Sequence, residues 1–134
     1  MNMKKAIRVV GRPVWAEVSL QAIGRNLRRI RRHIGPKPQI LAVVKSNAYG
    51  LGAVPVAKAL EKAGAERFGV TCANEGVELR ESGIRKPILV LTGFWPGEEK
   101  RFIANRLTPS VTRLEDVRSL ERAAKSAGVK SRLR

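Results

Sequence analysis

The chain has 134 residues and carries 27 Lys and Arg against 11 Asp and Glu, a formal net charge of +16. That length suits one domain or part of one. No apolar run is long enough to cross a membrane, and Met1-Asn2-Met3-Lys4-Lys5 is not followed by the apolar core of a secretion signal. The single cysteine, Cys72, excludes an internal disulfide and fits a reducing cytoplasm, and the single histidine, His33, leaves no Cys/His set for a metal.

In chain order, Pro13 to Val18 is expected to be a strand and Ser19 a helix N-cap. Leu20, Ile23, Leu27, Ile30 and Ile34 recur three and four residues apart, which predicts an amphipathic helix with that stripe buried, ended by Gly35-Pro36. His33 lies on the basic, solvated side of this helix. Gln39 to Lys45 reads as an apolar strand, and Val54 to Ala63 as a helix with Pro55 near its start and Gly64 past its end. A strand over Arg67 to Thr71 follows, and Cys72 is expected in a buried strand as an inert core thiol. A helix is predicted from Asn74 to Ser82, a strand from Pro87 to Leu91, a helix from Glu98 to Asn105 and a strand from Leu107 to Val111. Thr112-Arg113-Leu114-Glu115 has the form of a capping box. The helix it opens should turn Leu114, Val117, Leu120, Ala124 and Ala127 inward and stop at Gly128. Val129 begins a further predicted strand. Trp15 and Trp95 are expected to pack at strand ends.

Strands that are continuous apolar runs, each followed by a helix, imply a parallel sheet covered by helices. No G-x-G-x-x-G turn follows a strand, so a dinucleotide site is unsupported. The remaining common solution is a (β/α)8 (TIM) barrel, which takes about 250 residues for eight units. About six strands fit in residues 1–134, so an incomplete barrel is expected.

Arg25, Arg28, Arg29, Arg31 and Arg32 form a basic cluster that could neutralise nucleic-acid phosphates, which gives one alternative reading, a basic non-catalytic binding module. The apolar stripe of the same helix makes those arginines its ordinary outer face. No zinc-finger spacing, basic zipper or aromatic stacking platform accompanies them.

The segment Leu41-Ala42-Val43-Val44-Lys45-Ser46-Asn47-Ala48-Tyr49-Gly50-Leu51-Gly52 carries the chemistry. An apolar strand ends on a lysine and runs directly into a turn bounded by glycines. A lysine amine in such a place can form Schiff bases with carbonyl compounds, the aldehyde of pyridoxal phosphate among them. Asn47 is expected to shape the turn through side-chain to backbone bonds, and Gly50 and Gly52 to let the backbone approach closely.

Val44 to Gly52 resembles the cofactor signature of the alanine racemases, V-K-A-N-A-Y-G-H-G, with Ser46 in place of alanine and Leu51 in place of histidine. Trp15 to Leu20 with Asn26-Leu27 is similar to that family's opening strand and first helix. Glu75-Gly76-Val77-Glu78-Leu79-Arg80-Glu81-Ser82-Gly83-Ile84 is similar to its E-x-x-x-L-R-x-x-G-I segment. The resemblance runs from about Pro13 onward. It implies the N-terminal part of a pyridoxal-phosphate-binding barrel over residues 1–134, with the rest of the barrel and a C-terminal β domain absent. It also implies a cytoplasmic homodimer that interconverts L- and D-alanine and supplies D-alanine for peptidoglycan. Lys45 would bind the cofactor as a Schiff base and then act as acid and base on one face of the substrate Cα. Tyr49 would hydrogen-bond the cofactor phosphate. The second base, a tyrosine of the other subunit, and the arginines at the pyridine nitrogen and substrate carboxylate belong to later sequence in that family. The signature around Lys45 reports the cofactor, so a racemase of another amino acid is a further alternative.

Overall fold

The computed structural model describes residues 16–129. Helix α1 (Leu20–Ile34) is followed by β1 (Leu41–Val43), the short turn α2 (Lys45–Tyr49), α3 (Ala53–Ala63), β2 (Arg67–Val70) and α4 (Ala73–Glu81). Then come β3 (Ile88–Val90), α5 (Glu99–Ala104), β4 (Leu107–Pro109) and α6 (Leu114–Ser126). Of the six expected strands, four are formed among the described residues. Ala16 to Val18 is unpaired chain, whereas residues 13–15, Trp15 among them, and the segment after Val129 lie outside the described residues.

The four strands pair in parallel in the order β1-β2-β3-β4. Each strand sits beside its predecessor, with no reversal of order. A doubly wound sheet would reverse at a switch point; a barrel wall does not. The register sets Val43 against Gly69, Gly69 against Leu89 and Leu89 against Thr108, and this row lies on one face. On the other face Phe68, Val70, Ile88 and Val90 are fully buried and join Val56, Ala57, Leu79 and Phe102 of the helices in one core. Among the described residues no helix covers the first face, where Val43 is 37% and Leu91 39% exposed.

The helices form where the sequence predicts them, with instructive departures. Ser19 caps α1 by accepting the Ala22 N–H at 3.2 Å, and Gly35 closes it at φ 76°. Within the stripe of α1, Leu27 is buried and Ile23 is half-buried against the core, but Ile30 is 52% exposed. Helix α1 rests mainly on α3, with Gly24 facing Ala63 and Ala59 of that helix. The capping box before α6 does not form: Arg113 is the N-cap, without a side-chain cap, and its guanidinium pairs with Asp116 at 2.8 Å. Leu114 and Ala127 are exposed, and Ala124 carries the buried contact of that helix. Trp95 is 78% exposed on the loop after β3, not packed at a strand end. Cys72 is likewise exposed, because β2 ends at Val70 and the chain has already turned to start α4.

Candidate functional site at the end of strand β1

Lys45 leaves the sheet two residues after the last β1 ladder pair, Val43 with Gly69. It stands at the C-terminal end of the strands and is half-buried. The expected strand to Lys45 therefore stops slightly early, and Lys45 itself opens the next element.

That element is unusual. Ser46, Asn47, Ala48 and Tyr49 all have φ between 52° and 56°, so α2 is a left-handed turn, which Gly50 continues at φ 84°. L-residues in this conformation crowd Cβ against the following carbonyl, at roughly 1–2 kcal/mol each. Asn47 tolerates it, and the other three, Ser46, Ala48 and Tyr49, hold on the order of 3–6 kcal/mol, which surrounding bonds must offset. The turn closes internally through the Ala48 N–H to Val44 O at 2.9 Å and the Gly50 N–H to Ser46 O at 3.0 Å. Two side chains then pin it. Asn47 Oδ1 accepts the Ala53 N–H at 2.7 Å, as the sequence leads one to expect of that asparagine. Glu75 Oε1 accepts the Ser46 N–H at 2.6 Å. Ala48 is buried beneath the turn, and Tyr49, 63% exposed, stands out from it.

At the C-terminal ends of the other strands lie Thr71 after β2, Thr92 and Gly93 after β3, and Ser110 after β4. Thr92 Oγ1 donates to Thr71 O at 2.6 Å. Gly93 has φ 83°, and a Cβ there would stand 3.2 Å from Ser110 O, so glycine is required at that close approach.

Charge is used differently at the opposite end of the strands. Arg31, counted by sequence among the solvated arginines of α1, crosses to Glu66, donating to its carboxylate at 2.6 Å and to Gly35 O at 3.1 Å. Glu66 also accepts the Ile40 N–H at 2.7 Å. That bond first, and Arg31 second, hold its carboxyl below the ordinary glutamate range. Arg80 donates to four carbonyls, those of Ile84, Lys86, Asn105 and Arg106, at 2.7–2.9 Å. A cleft of about 650 Å³ lined by Arg80, Arg85, Arg106 and Thr108 lies at this end, by the starts of β3 and β4 and away from Lys45.

Sequence reading singled out Lys45, Tyr49 and Asn47 but gave Glu75 and Arg80 no task beyond membership of a motif. The available signal for Glu75 was its place in the first turn of α4, where a carboxylate meets free N–H groups.

The model of the alanine racemase N-terminal domain matches residues 18–133. The chain belongs to the alanine racemase N-terminal domain family. It is 41% identical over 125 residues to an alanine racemase of Methanococcus maripaludis, covering 93% of this chain and 34% of that protein. Among solved structures it is similar to the alanine racemase of Clostridium difficile 630, with a TM-score of 0.85 and 37% identity over 92% of this chain and 32% of that one. It is also similar to a histidine racemase of Leuconostoc mesenteroides, with a TM-score of 0.74 and 28% identity over 81% of this chain and 29% of that one. The chain thus spans about a third of the length of the curated relatives it matches. The expected barrel class holds: the four-stranded parallel sheet is part of a TIM-barrel wall. No helix among the described residues is long and apolar enough to cross a membrane.

Proposed function

We propose that this chain forms the cofactor-binding part of an amino-acid racemase that acts on alanine, with pyridoxal phosphate as cofactor, Lys45 as its attachment point and Tyr49 as a phosphate ligand. The observation that carries this is the junction of β1 and α2, where one primary amine sits at a strand's C-terminal end and a phenol projects from the pinned turn that follows. The donor set fits the cofactor: an amine for its aldehyde, and a neutral phenolic O–H for its phosphate. When bound, pyridoxal phosphate withdraws electrons from the substrate and makes its Cα–H acidic. Lys45 holds the cofactor and then, as a free amine, takes or returns the Cα proton on one face. Asn47 and the bonds within α2 keep Lys45 and Tyr49 on one stiff turn. Inversion needs a second proton carrier on the opposite face. The family resemblance supports assigning that group to another subunit, so a homodimer is part of the proposal, as are residence in the cytoplasm and a supply of D-alanine to peptidoglycan.

A racemase for another amino acid is the second reading, and the likeness to a histidine racemase supports keeping it. The test is borohydride trapping of pyridoxal phosphate on the purified chain, with mapping of the modified lysine. Selective reduction onto Lys45, abolished in Lys45→Ala, is the expected result. Labelling spread over surface lysines, unchanged by that substitution, refutes the assignment.

A further inference from the structure

We propose that Glu75 is a positioning residue for Lys45, its carboxylate tying the chain that leaves β1 to the chain that leaves β2 and so fixing where the amine stands. The inference rests on the reading of Lys45 as the cofactor lysine.

Glu75 is the third residue of α4, whose N-cap is Cys72. A glutamate at that position commonly reaches back to a free N–H at the start of its own helix. Here one oxygen reaches one residue further back: Oε2 accepts the N–H of Thr71, just before the N-cap, at 2.7 Å. The other oxygen leaves the helix altogether. Oε1 accepts the N–H of Ser46, 29 residues earlier in the chain, at 2.6 Å. Ser46 directly follows Lys45 and is the first of the left-handed residues, and Thr71 directly follows β2. Both N–H groups lie just past the last ladder pairs, beyond the reach of the sheet's own hydrogen bonds. An ionised carboxylate is the acceptor that suits two convergent donors, since it presents lone pairs on both oxygens and no proton. The Lys45–Ser46 peptide is thereby held from its N–H side, next to the Cα from which the lysine side chain springs.

Side-chain chemistry makes the proposal selective. Glutamine has the same shape but would aim an NH2 group at one of the two N–H groups, so one arm of the bridge becomes donor against donor. Aspartate keeps the charge but is one methylene short of spanning both. Neither replacement should substitute for glutamate.

The experiment compares the wild-type chain with Glu75→Gln, Glu75→Asp and, as a control for general loss of stability, Ile84→Val, which trims a fully buried core residue on the loop before β3. Two readouts are taken: hydrogen exchange of the Ser46 amide without cofactor, and the share of borohydride-trapped pyridoxal phosphate on Lys45 relative to other lysines. In both Glu75 variants, Ser46 exchange should quicken about tenfold or more, the scale of one lost charged hydrogen bond, and the Lys45 share of the label should fall. Ile84→Val should leave both unchanged while lowering the urea midpoint. The proposal is overturned if Ser46 stays as protected in Glu75→Gln as in wild type, or if Ile84→Val loses Lys45 labelling to the same degree. If the wild-type chain shows no preference for Lys45, the functional reading fails and the positioning role falls with it. Ser46 exchange then still decides whether the bridge orders the turn.

Discussion

Two helix-interior glycines offer a direct test of how tightly α4 lies on the sheet. Gly76→Ala and Gly24→Ala add the same methyl to helices α4 and α1, and each should gain about 1 kcal/mol of helix propensity. The surroundings then separate them. At Gly24 the new Cβ would meet Arg28 Nη1 at 3.4 Å and the Ala63 Cβ at 3.5 Å, which are ordinary contacts. At Gly76 it would meet Leu107 Cδ2 at 2.9 Å and Cδ1 at 3.1 Å, with Ile88 Cγ2 at 3.6 Å behind them. Leu107 is only 7% exposed, so it cannot swing into water to make room. Overpacking of that kind costs about 1–3 kcal/mol. At about 2 kcal/mol it outweighs the propensity gain, leaving Gly76→Ala less stable by about 1 kcal/mol. Gly24→Ala should be more stable by about 0.5–1 kcal/mol. Urea titration followed by far-ultraviolet circular dichroism reads both as opposite shifts of midpoint at constant slope. Leu107→Val should cost less stability when Ala occupies position 76 than when glycine does, because the two sites share one space. If Gly76→Ala stabilises as much as Gly24→Ala, α4 can lift from β3 and β4 freely, and the close packing inferred around Leu107 is wrong.

Two other perturbations probe the opposite end of the strands. Glu66 has a folded-state pKa below its unfolded value, so its contribution to stability is complete above the ordinary glutamate range and drains as pH falls through the depressed value. Glu66→Gln should therefore be less stable than wild type at neutral pH and converge with it in acid, and parallel stability curves down to low pH would contradict the bridge from Glu66 to Ile40 and Arg31. Arg80→Lys keeps the charge but gathers its donors at one point, so it cannot serve all four carbonyls; a loss of about 2 kcal/mol in urea titration is expected, and an unchanged midpoint would refute the stapling role.

How much of this was legible in the sequence depended on whether local or distant partners decide each feature. Ser19 and Gly35 bound α1 through bonds within a few residues, and both were readable. Cys72 was misplaced because apolar character runs past Val70, while the strand ends where its ladder ends. Thr112 and Glu115 have capping-box spacing, yet Arg113 finds Asp116 and the helix starts without the box. The left-handed turn was the hardest feature to foresee. Asn47 and Gly50 favour such a conformation, but Ser46, Ala48 and Tyr49 do not. Their conformation is stabilised from 29 residues away by Glu75, and no local propensity reports that. Arg31 makes the same point for charge. It looks like its neighbours Arg29 and Arg32 in sequence and differs in having Glu66 and the Gly35 carbonyl within reach.

The E-x-x-x-L-R segment that first read as a family likeness has a physical explanation in α4. A helix between parallel strands runs back against their direction, so its N-terminus lies at their C-terminal ends and its C-terminus at their starts. Glu75 stands at the first end and Arg80 at the second, five residues and about 7.5 Å of helix apart. Glu75, an acceptor, collects the stray N–H groups where β1 and β2 end. Arg80, a donor only, collects the stray carbonyls of the loops that enter β3 and β4. Between them Leu79 is fully buried and fixes the rotation of the helix that lets each charged side chain reach its own end. Reversing the two charges would set acceptor against carbonyl and donor against N–H at both ends. The order of the motif thus follows from the direction of the chain, and the same helix that closes the loops at the base holds the lysine turn at the top.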